Sequence, residues 1–343
     1  MKKMRFYLGI GLLCLVAGIF AAPEISAKRV KFDYSVVYVP EEGGAKFEKI
    51  TEDADCVNDG LVSLSKSLFG KNTLDALTWW INPQIALSKD GSKIAYLNDK
   101  NGTSNIMVKN SSTGGASTQR TFRTNVTDFT WSPDDKTICF TEVRNGHYGI
   151  YLVDAYQGNV VRQISNGNEN DFAGQITPDG NTIYFHRGEG RQNYSIWSYD
   201  KTTNLFSNYS RGMTPCLIPG KTDEFYVARY TDRKESEIWR INPQTGVEEI
   251  ILSAPGRSFT TPMLSPDKQW LLVTGSSISE KDGQINTDLY AVRTDGSQLT
   301  QLTYHPGNDL SGIWSPDGKS IYFLSQRGSA SRKFNVWKMD FNL

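Results

Sequence analysis

One four-residue pattern recurs through this chain at nearly constant spacing. It reads Ser88-Lys89-Asp90-Gly91, Ser132-Pro133-Asp134-Asp135, Thr177-Pro178-Asp179-Gly180, Ser265-Pro266-Asp267-Lys268 and Ser315-Pro316-Asp317-Gly318. Successive aspartates lie 44, 45, 88 and 50 residues apart, and the double interval holds a worn copy at Ile218-Pro219-Gly220-Lys221. Proline presets φ for a tight turn, aspartate bonds to nearby amides, and glycine accepts a left-handed backbone. Each copy therefore predicts a corner between two strands. Downstream of the corners come short apolar runs: Ile106-Met107-Val108, Ile150 to Val153, Ile196-Trp197, Ile238-Trp239, Leu289-Tyr290 and Val336-Trp337. Several are followed by a glycine turn and one more short strand, as in 158–165 and 246–253. Each repeat so reads as four strands. Four-stranded units recurring every 40–45 residues or so predict a β-propeller, whose blades bury their faces on one another around a channel.

The two ends of the chain complete each other. The last repeat reaches Leu343, seven residues past Val336, without a fourth strand. Near the start, Val36-Val37-Tyr38-Val39 is followed by Gly44 and Ile50, at the offsets that separate Ile150 from Gly158 and Ile164. Residues 34–51 thus read as the tail of a repeat, and joining tail to head removes two open sheet edges. The expectation is an all-β fold, a six-bladed β-propeller of four-stranded blades over 78–343, closed by N-terminal strands from 28–52. A seventh, irregular blade recruiting part of 53–77 is the alternative. In that stretch Leu61, Leu64 and Leu68 recur at helical spacing after Asn58 or Asp59, which predicts an irregular or short helical insertion.

Residues 1–27 stand outside the repeat. Lys2, Lys3 and Arg5 precede an apolar run from Phe6 to Ala22, followed by Ile25-Ser26-Ala27. A basic start, a short apolar core and a small final residue predict a secretory signal peptide, cleaved after Ala27. The run is short for a membrane span and no later one follows, so the exported protein is expected not to span a membrane. Cys14 follows Leu13 rather than the small residue that precedes a lipidated cysteine, so it reads as part of the signal core. Cys56, Cys139 and Cys216 are odd in number, and buried free thiols are expected rather than a disulfide or a metal site. Basic and acidic side chains number 37 each, which speaks against a nucleic-acid partner.

Catalytic motifs do not emerge from the pattern. His147, His186 and His305 are scattered, with no HExxH and no G-x-S-x-G. Asp99-Lys100-Asn101-Gly102 begins like a calcium loop but lacks the distal glutamate. No catalytic residue, metal ligand or cofactor is therefore expected. Two sets of positions suit a partner instead. Lys100, Arg144, Arg187, Arg229 or Arg233, and Arg327 follow the second strands and would ring one mouth. They could hold an anionic surface or pair with acids of their own blades. The inter-blade connections do not repeat, and they carry Trp80, Arg257, Phe259, Tyr304, His305 and Asp309. Aromatics with nearby charge compose a protein-binding patch, although aromatics at these places also pack between blades.

The full pattern, S-P-D-G-K-x-I-x-F and then I-Y-x-x-D, resembles the WD40-like (PD40) repeats of TolB-type propellers. Ser132–Phe140, Thr177–Phe185 and Ser315–Phe323 carry its first half, and Ile150–Asp154, Ile196–Asp200 and Val336–Asp340 its second. The resemblance covers residues 30–343 and implies a periplasmic, monomeric propeller that binds an envelope protein or lipoprotein. TolB itself carries an α/β domain before its propeller, for which this chain has no room, so membership of a Tol system does not follow. Similar repeats occur in polysaccharide-lyase propellers. The alternative expectation is thus a carbohydrate-active enzyme, a lyase or glycosidase acting on cell-wall polysaccharide at the channel mouth.

Overall fold

The recurring corners form as tight turns, and their sequence explains why. In the computed structural model, which describes residues 33–52, 84–98, 103–122, 125–144, 147–158, 160–165, 169–188, 193–221, 223–232, 235–278 and 285–343, five turns share one hydrogen-bond circuit. The Ser or Thr hydroxyl donates to the Asp two residues on, at 2.7 Å for Ser88–Asp90, 2.6 Å for Ser132–Asp134, Thr177–Asp179 and Ser315–Asp317, and 2.5 Å for Ser265–Asp267. The same carboxylate accepts the amide two residues later, and the hydroxyl accepts the amide that starts the second strand. Hydrogen bonds from the Ser315 hydroxyl and the Lys319 amide hold the Asp317 carboxyl below its ordinary value. Asp317 is thereby a corner residue. The worn copy has Ile218 in place of the hydroxyl, keeps Pro219 and the turn bond from the Lys221 amide to the Ile218 carbonyl, and places the left-handed residue, Gly220 with φ 85°, one position earlier.

These turns connect the first and second strands of six four-stranded antiparallel sheets. After β1 (Phe47–Lys49), blade 1 holds β2 (Ile85–Leu87), β3 (Lys93–Asn98), β4 (Asn105–Asn110) and β5 (Thr118–Gln119). Blade 2 holds β6 (Val126–Trp131), β7 (Thr137–Arg144), β8 (His147–Asp154) and β9 (Val160–Gln163). Blade 3 holds β10 (Asp171–Ile176), β11 (Thr182–Arg187), β12 (Ser195–Asp200) and β13 (Phe206–Arg211). Blade 4 holds β14 (Met213–Leu217), β15 (Phe225–Tyr230), β16 (Ser236–Asn242) and β17 (Val247–Leu252). Blade 5 holds β18 (Arg257–Leu264), β19 (Trp270–Ile278), β20 (Ile285–Arg293) and β21 (Thr300–Gln301). Blade 6 holds β22 (Asp309–Trp314), β23 (Ser320–Ser325) and β24 (Asn335–Asp340), with β1 as its outer strand.

The ring closes through β1, which pairs antiparallel with β24 in the register Phe47↔Met339, Glu48↔Lys338, Lys49↔Trp337. Among the described residues six four-stranded sheets form, the six-bladed expectation rather than the seven of the alternative. Val36–Val39 forms no strand, in contrast to the reading of 34–51 as a two-strand tail, because β24 already fills the third place. Instead its carbonyls take up loop donors of blade 6: Gly328 N–H donates to Val36 and Arg327 Nη1 to Val37. The predicted signal peptide, the insertion at 53–77, Cys56, Lys100, Arg233 and Trp80 lie outside the described residues. Cys139 and Cys216 are buried free thiols.

The second and third strands carry the apolar core, with Ile94, Ile138, Phe140, Ile183, Phe185, Phe225, Leu271, Ile321 and Phe323 all buried. Each such side chain contributes about 1.5–3 kcal/mol. First strands sit innermost and all but β2 bulge against their neighbours, which lets the chain turn around the axis. At the β10 bulge, a Cβ on Gly174 would stand 2.2 Å from the Tyr184 carbonyl oxygen and 3.1 Å from Pro215 Cγ of the next blade. Gly174→Ala is expected to cost about 1–3 kcal/mol, read by urea denaturation. Unchanged stability would show that this bulge shifts freely.

Candidate functional site: the turn-side mouth of the channel

Because every first strand is innermost and ends in a turn, the six first strands converge on one concavity. It has a volume of about 840 Å³ and receives residues from all six blades. One layer has one residue per blade, two positions before each corner: Ala86, Thr130, Gln175, Cys216, Met263 and Ile313. The next layer is the apolar wall of Leu87, Trp131, Ile176, Leu217, Leu264 and Trp314. Lys89, Pro178, Pro219, Lys221, Pro266 and Pro316 form the rim. The size suits an inserted side-chain cluster or a small ligand.

The rim is braced by contacts from blade to blade. Lys89 N–H donates to Asp135 Oδ1 at 2.7 Å, Tyr184 Oη to Asp223 Oδ1 at 2.5 Å, and Lys268 Nζ to the Pro219 carbonyl at 3.0 Å. Trp314 is fixed by its indole N–H, which donates to the Met263 carbonyl at 2.9 Å. In the cavity wall, Gln175 reaches across two blades. Its Oε1 accepts the Leu217 amide at 2.8 Å, while its Nε2 lies 3.6 Å from Met263 Sδ. Cys216 is buried, and burial pushes its thiol up to about 12, so it is an inert wall atom.

The opposite, loop-side end uses its charges internally. Arg144 forks onto Glu142 at 2.9 and 3.0 Å and stacks on Tyr151. Arg187 pairs with Asp171 and Glu169 and stacks on Trp197. Arg229 pairs with Glu248 and stacks on Trp239. A cation lying on a third-strand aromatic and tied to an acid is thus part of the repeat in blades 2, 3 and 4. Of the described cations in the predicted ring, Arg144 is the most exposed, at 57 %.

Tyr304, His305, Asp309 and Arg327 do come together, as the seat of the N-terminal segment. Arg327 Nη2 donates to Glu42 Oε1 at 2.8 Å and Asp309 Oδ2 at 2.6 Å, all three side chains being at most 1 % exposed. Its guanidinium lies 4.0 Å from the Phe47 ring centroid of β1. His305 Nδ1 accepts the Gly307 amide at 2.9 Å, so Nε2 carries the proton donated to the Val36 carbonyl at 3.0 Å. Burial lowers the His305 pKa and keeps it neutral. The Tyr304 amide donates to Glu42 Oε1 and its ring is 37 % exposed. Arg257 donates to Tyr290 Oη at 2.8 Å, and Phe259 is buried edge-on against the same ring. Phe259, His305, Asp309 and Arg327 are therefore covered by their own neighbours. Glu42, the partner that sequence reasoning missed, ends the short turn Pro40–Glu42, between the two strand-like runs of the stretch read as a repeat tail.

A sequence model described as the TolB beta propeller domain matches residues 23–206 and 199–342. The chain belongs to the TolB β-propeller family. Among curated relatives, the Tol-Pal system protein TolB of Helicobacter pylori (strain ATCC 700392 / 26695) is 28 % identical over 142 residues, 41 % of this chain and 32 % of that protein. The match thus spans about a third of the relative's length. TolB from Acinetobacter baumannii superposes with a TM-score of 0.57 at 17 % identity, covering 74 % of this chain and 65 % of that one. An oligogalacturonate lyase from Vibrio parahaemolyticus gives 0.56 at 12 % identity, covering 89 % and 96 %. At such identities the superpositions speak for the fold. No helix among the described residues is long and apolar enough to cross a membrane.

Proposed function

We propose that this TolB-family propeller is an exported, periplasmic, non-catalytic binding protein that seats an envelope protein in its turn-side mouth. The observation that carries this reading is the convergence of all six first strands on one braced, largely apolar cavity. The charged groups of the loop side are, in contrast, mostly tied up within their blades. Kinship to a Tol-Pal system protein supports an envelope partner.

The second reading, a lyase or glycosidase, draws on the likeness to the oligogalacturonate lyase fold. The cavity lining offers such chemistry two carboxylates, Asp179 and Asp223, and no histidine. Asp179 is held by Thr177 and Asn181 in its turn, and Asp223 accepts from Tyr184 and Gln244. Neither is left as a poised acid or base.

Capture of partners from envelope extracts tests both readings. Leu217→Trp, which fills the cavity, is expected to reduce capture about tenfold, the loss of roughly 1.4 kcal/mol. Arg257→Ala with Tyr304→Ala is expected to leave it intact. Loss with the second pair and not the first would move the partner to the loop side. Turnover of oligogalacturonate or peptidoglycan would overturn the non-catalytic reading.

A further inference from the structure

The Gln175 amide is held in an arrangement that packing alone does not call for. Its oxygen is satisfied by the Leu217 amide, but its nitrogen meets a sulfur, Met263 Sδ at 3.6 Å. Sulfur is a weak acceptor, and among the described residues no oxygen is bonded to this nitrogen. Gln175 is half-buried in the cavity lining, and a donor served by sulfur keeps its capacity for an oxygen acceptor that enters there. A methionine or leucine at this position would close the same wall without bringing a donor to the cavity. The donor also lines the cavity, as do Ala86, Thr130, Ile313 and Met263 at the same strand position in other blades.

We infer that Gln175 is a specificity-determining residue of the cavity, donating through Nε2 to a backbone carbonyl oxygen on an apolar segment of the protein partner. This rests on the cavity being the partner's seat. The occupant's chemistry follows from the walls. Leu87, Ile176, Leu217 and Leu264 with Trp131 and Trp314 favour aliphatic or aromatic side chains. The lysines of the lining, Lys89 and Lys221, belong to the rim, so a carboxylate carried to the floor would lose its hydration without a counter-charge. A neutral carbonyl carries no such cost and accepts an N–H that sulfur serves poorly. Peptide bonds supply that acceptor next to apolar side chains at every residue.

The experiment follows the Met263 methyl resonance in methyl-labelled protein titrated with N-acetyl-leucine methylamide, which offers an isobutyl group and two amide carbonyls. Met263 is expected to shift saturably, while Met107, Met213 and Met339, which do not line the cavity, stay in place. Gln175→Glu keeps an acceptor for the Leu217 amide and removes the donor, and should weaken the titration about three- to tenfold, as loss of one hydrogen bond does. Gln175→Met, volume-matched and neutral, should weaken it to the same degree and controls for the new charge. Equal binding by wild type and both variants, with Met263 still shifting, would overturn the role of Gln175 and leave the cavity as a seat. No Met263 shift in the wild type would overturn the cavity reading itself.

Discussion

Arg327→Met is expected to unfasten the N-terminal segment and lower stability by about 3–5 kcal/mol, the usual result of removing one partner from a buried ion cluster. Arg327 is the cation between Glu42, delivered by the short 3-10 turn Pro40–Glu42, and Asp309, the first residue of β22. Without it two buried carboxylates face one another, and a third, Asp288, lies close enough that Asp309 raises its pKa further above the range that burial sets. Repulsion is relieved by lifting Glu42 out, and with it go the carbonyls of Val36 and Val37 and the adjoining strand β1. The outer edge of blade 6 is then bare, an invitation to edge-to-edge association. Urea denaturation, with size-exclusion chromatography for aggregates, reads both effects. Arg327→Met combined with Glu42→Gln and Asp309→Asn should recover much of the loss, since neutral hydrogen-bonding groups replace the unpaired charges. A single variant within about 1 kcal/mol of wild type would contradict the assigned role of the cluster.

The second large effect is a reversal with pH at Asp128. This carboxyl on the innermost strand of blade 2 is buried. Its Oδ1 accepts from the Thr127 hydroxyl at 2.6 Å, and Oδ2 has no partner among the described residues. Burial pushes its pKa up to about 7 from 3.8. The folded state then holds this proton more tightly than the unfolded chain. The associated stability is full below pH 3.8, is lost as pH rises toward 7, and is gone above that. At 1.36 kcal/mol per unit the rise is worth about 4 kcal/mol. Asp128→Asn, neutral at every pH, is accordingly expected to gain about 4 kcal/mol over wild type at pH 8 and nothing at pH 4.

His186 runs the other way. Burial lowers its pKa to about 3, and its Nδ1 accepts the Thr214 amide, so stability is lost as pH falls below 6.5. Between pH 6.5 and 4 the two groups oppose each other in the wild type. Asp128→Asn should expose the histidine slope as a steady decline in stability on acidification. Chemical denaturation across pH 4–8 measures both. A difference between wild type and variant that does not change over that range would contradict a raised Asp128 pKa.

The blade count could be read before any coordinate because turn chemistry is local. Ser, Pro, Asp and Gly each serve a nearby atom of the same corner, so the motif survives in sequence wherever the corner does. Ring closure was legible for a similar reason, as a missing fourth strand at one end and a spare one at the other. The site was harder to read. Arg327 and Glu42 lie 285 positions apart and meet only when the ring shuts, so Tyr304, His305 and Asp309 read as a partner patch and Arg327 as one of a ring of cations, while together they form a seat. Gln175 carried no signal at all, being one polar residue in Phe172-Ala173-Gly174-Gln175-Ile176. Its place in the cavity wall depends on a bulge in β10 and on the Leu217 amide and Met263 sulfur supplied by blades 4 and 5.

Hydrogen–deuterium exchange, with and without the captured envelope protein, tests most directly whether the turn-side mouth is the seat. Protection is expected in the turns at 88–93, 132–137, 177–182, 265–270 and 315–320 and in the first strands that lead to them. Protection confined to 142–149, 303–309 and 325–333, with the turns exchanging as in the free protein, would contradict it.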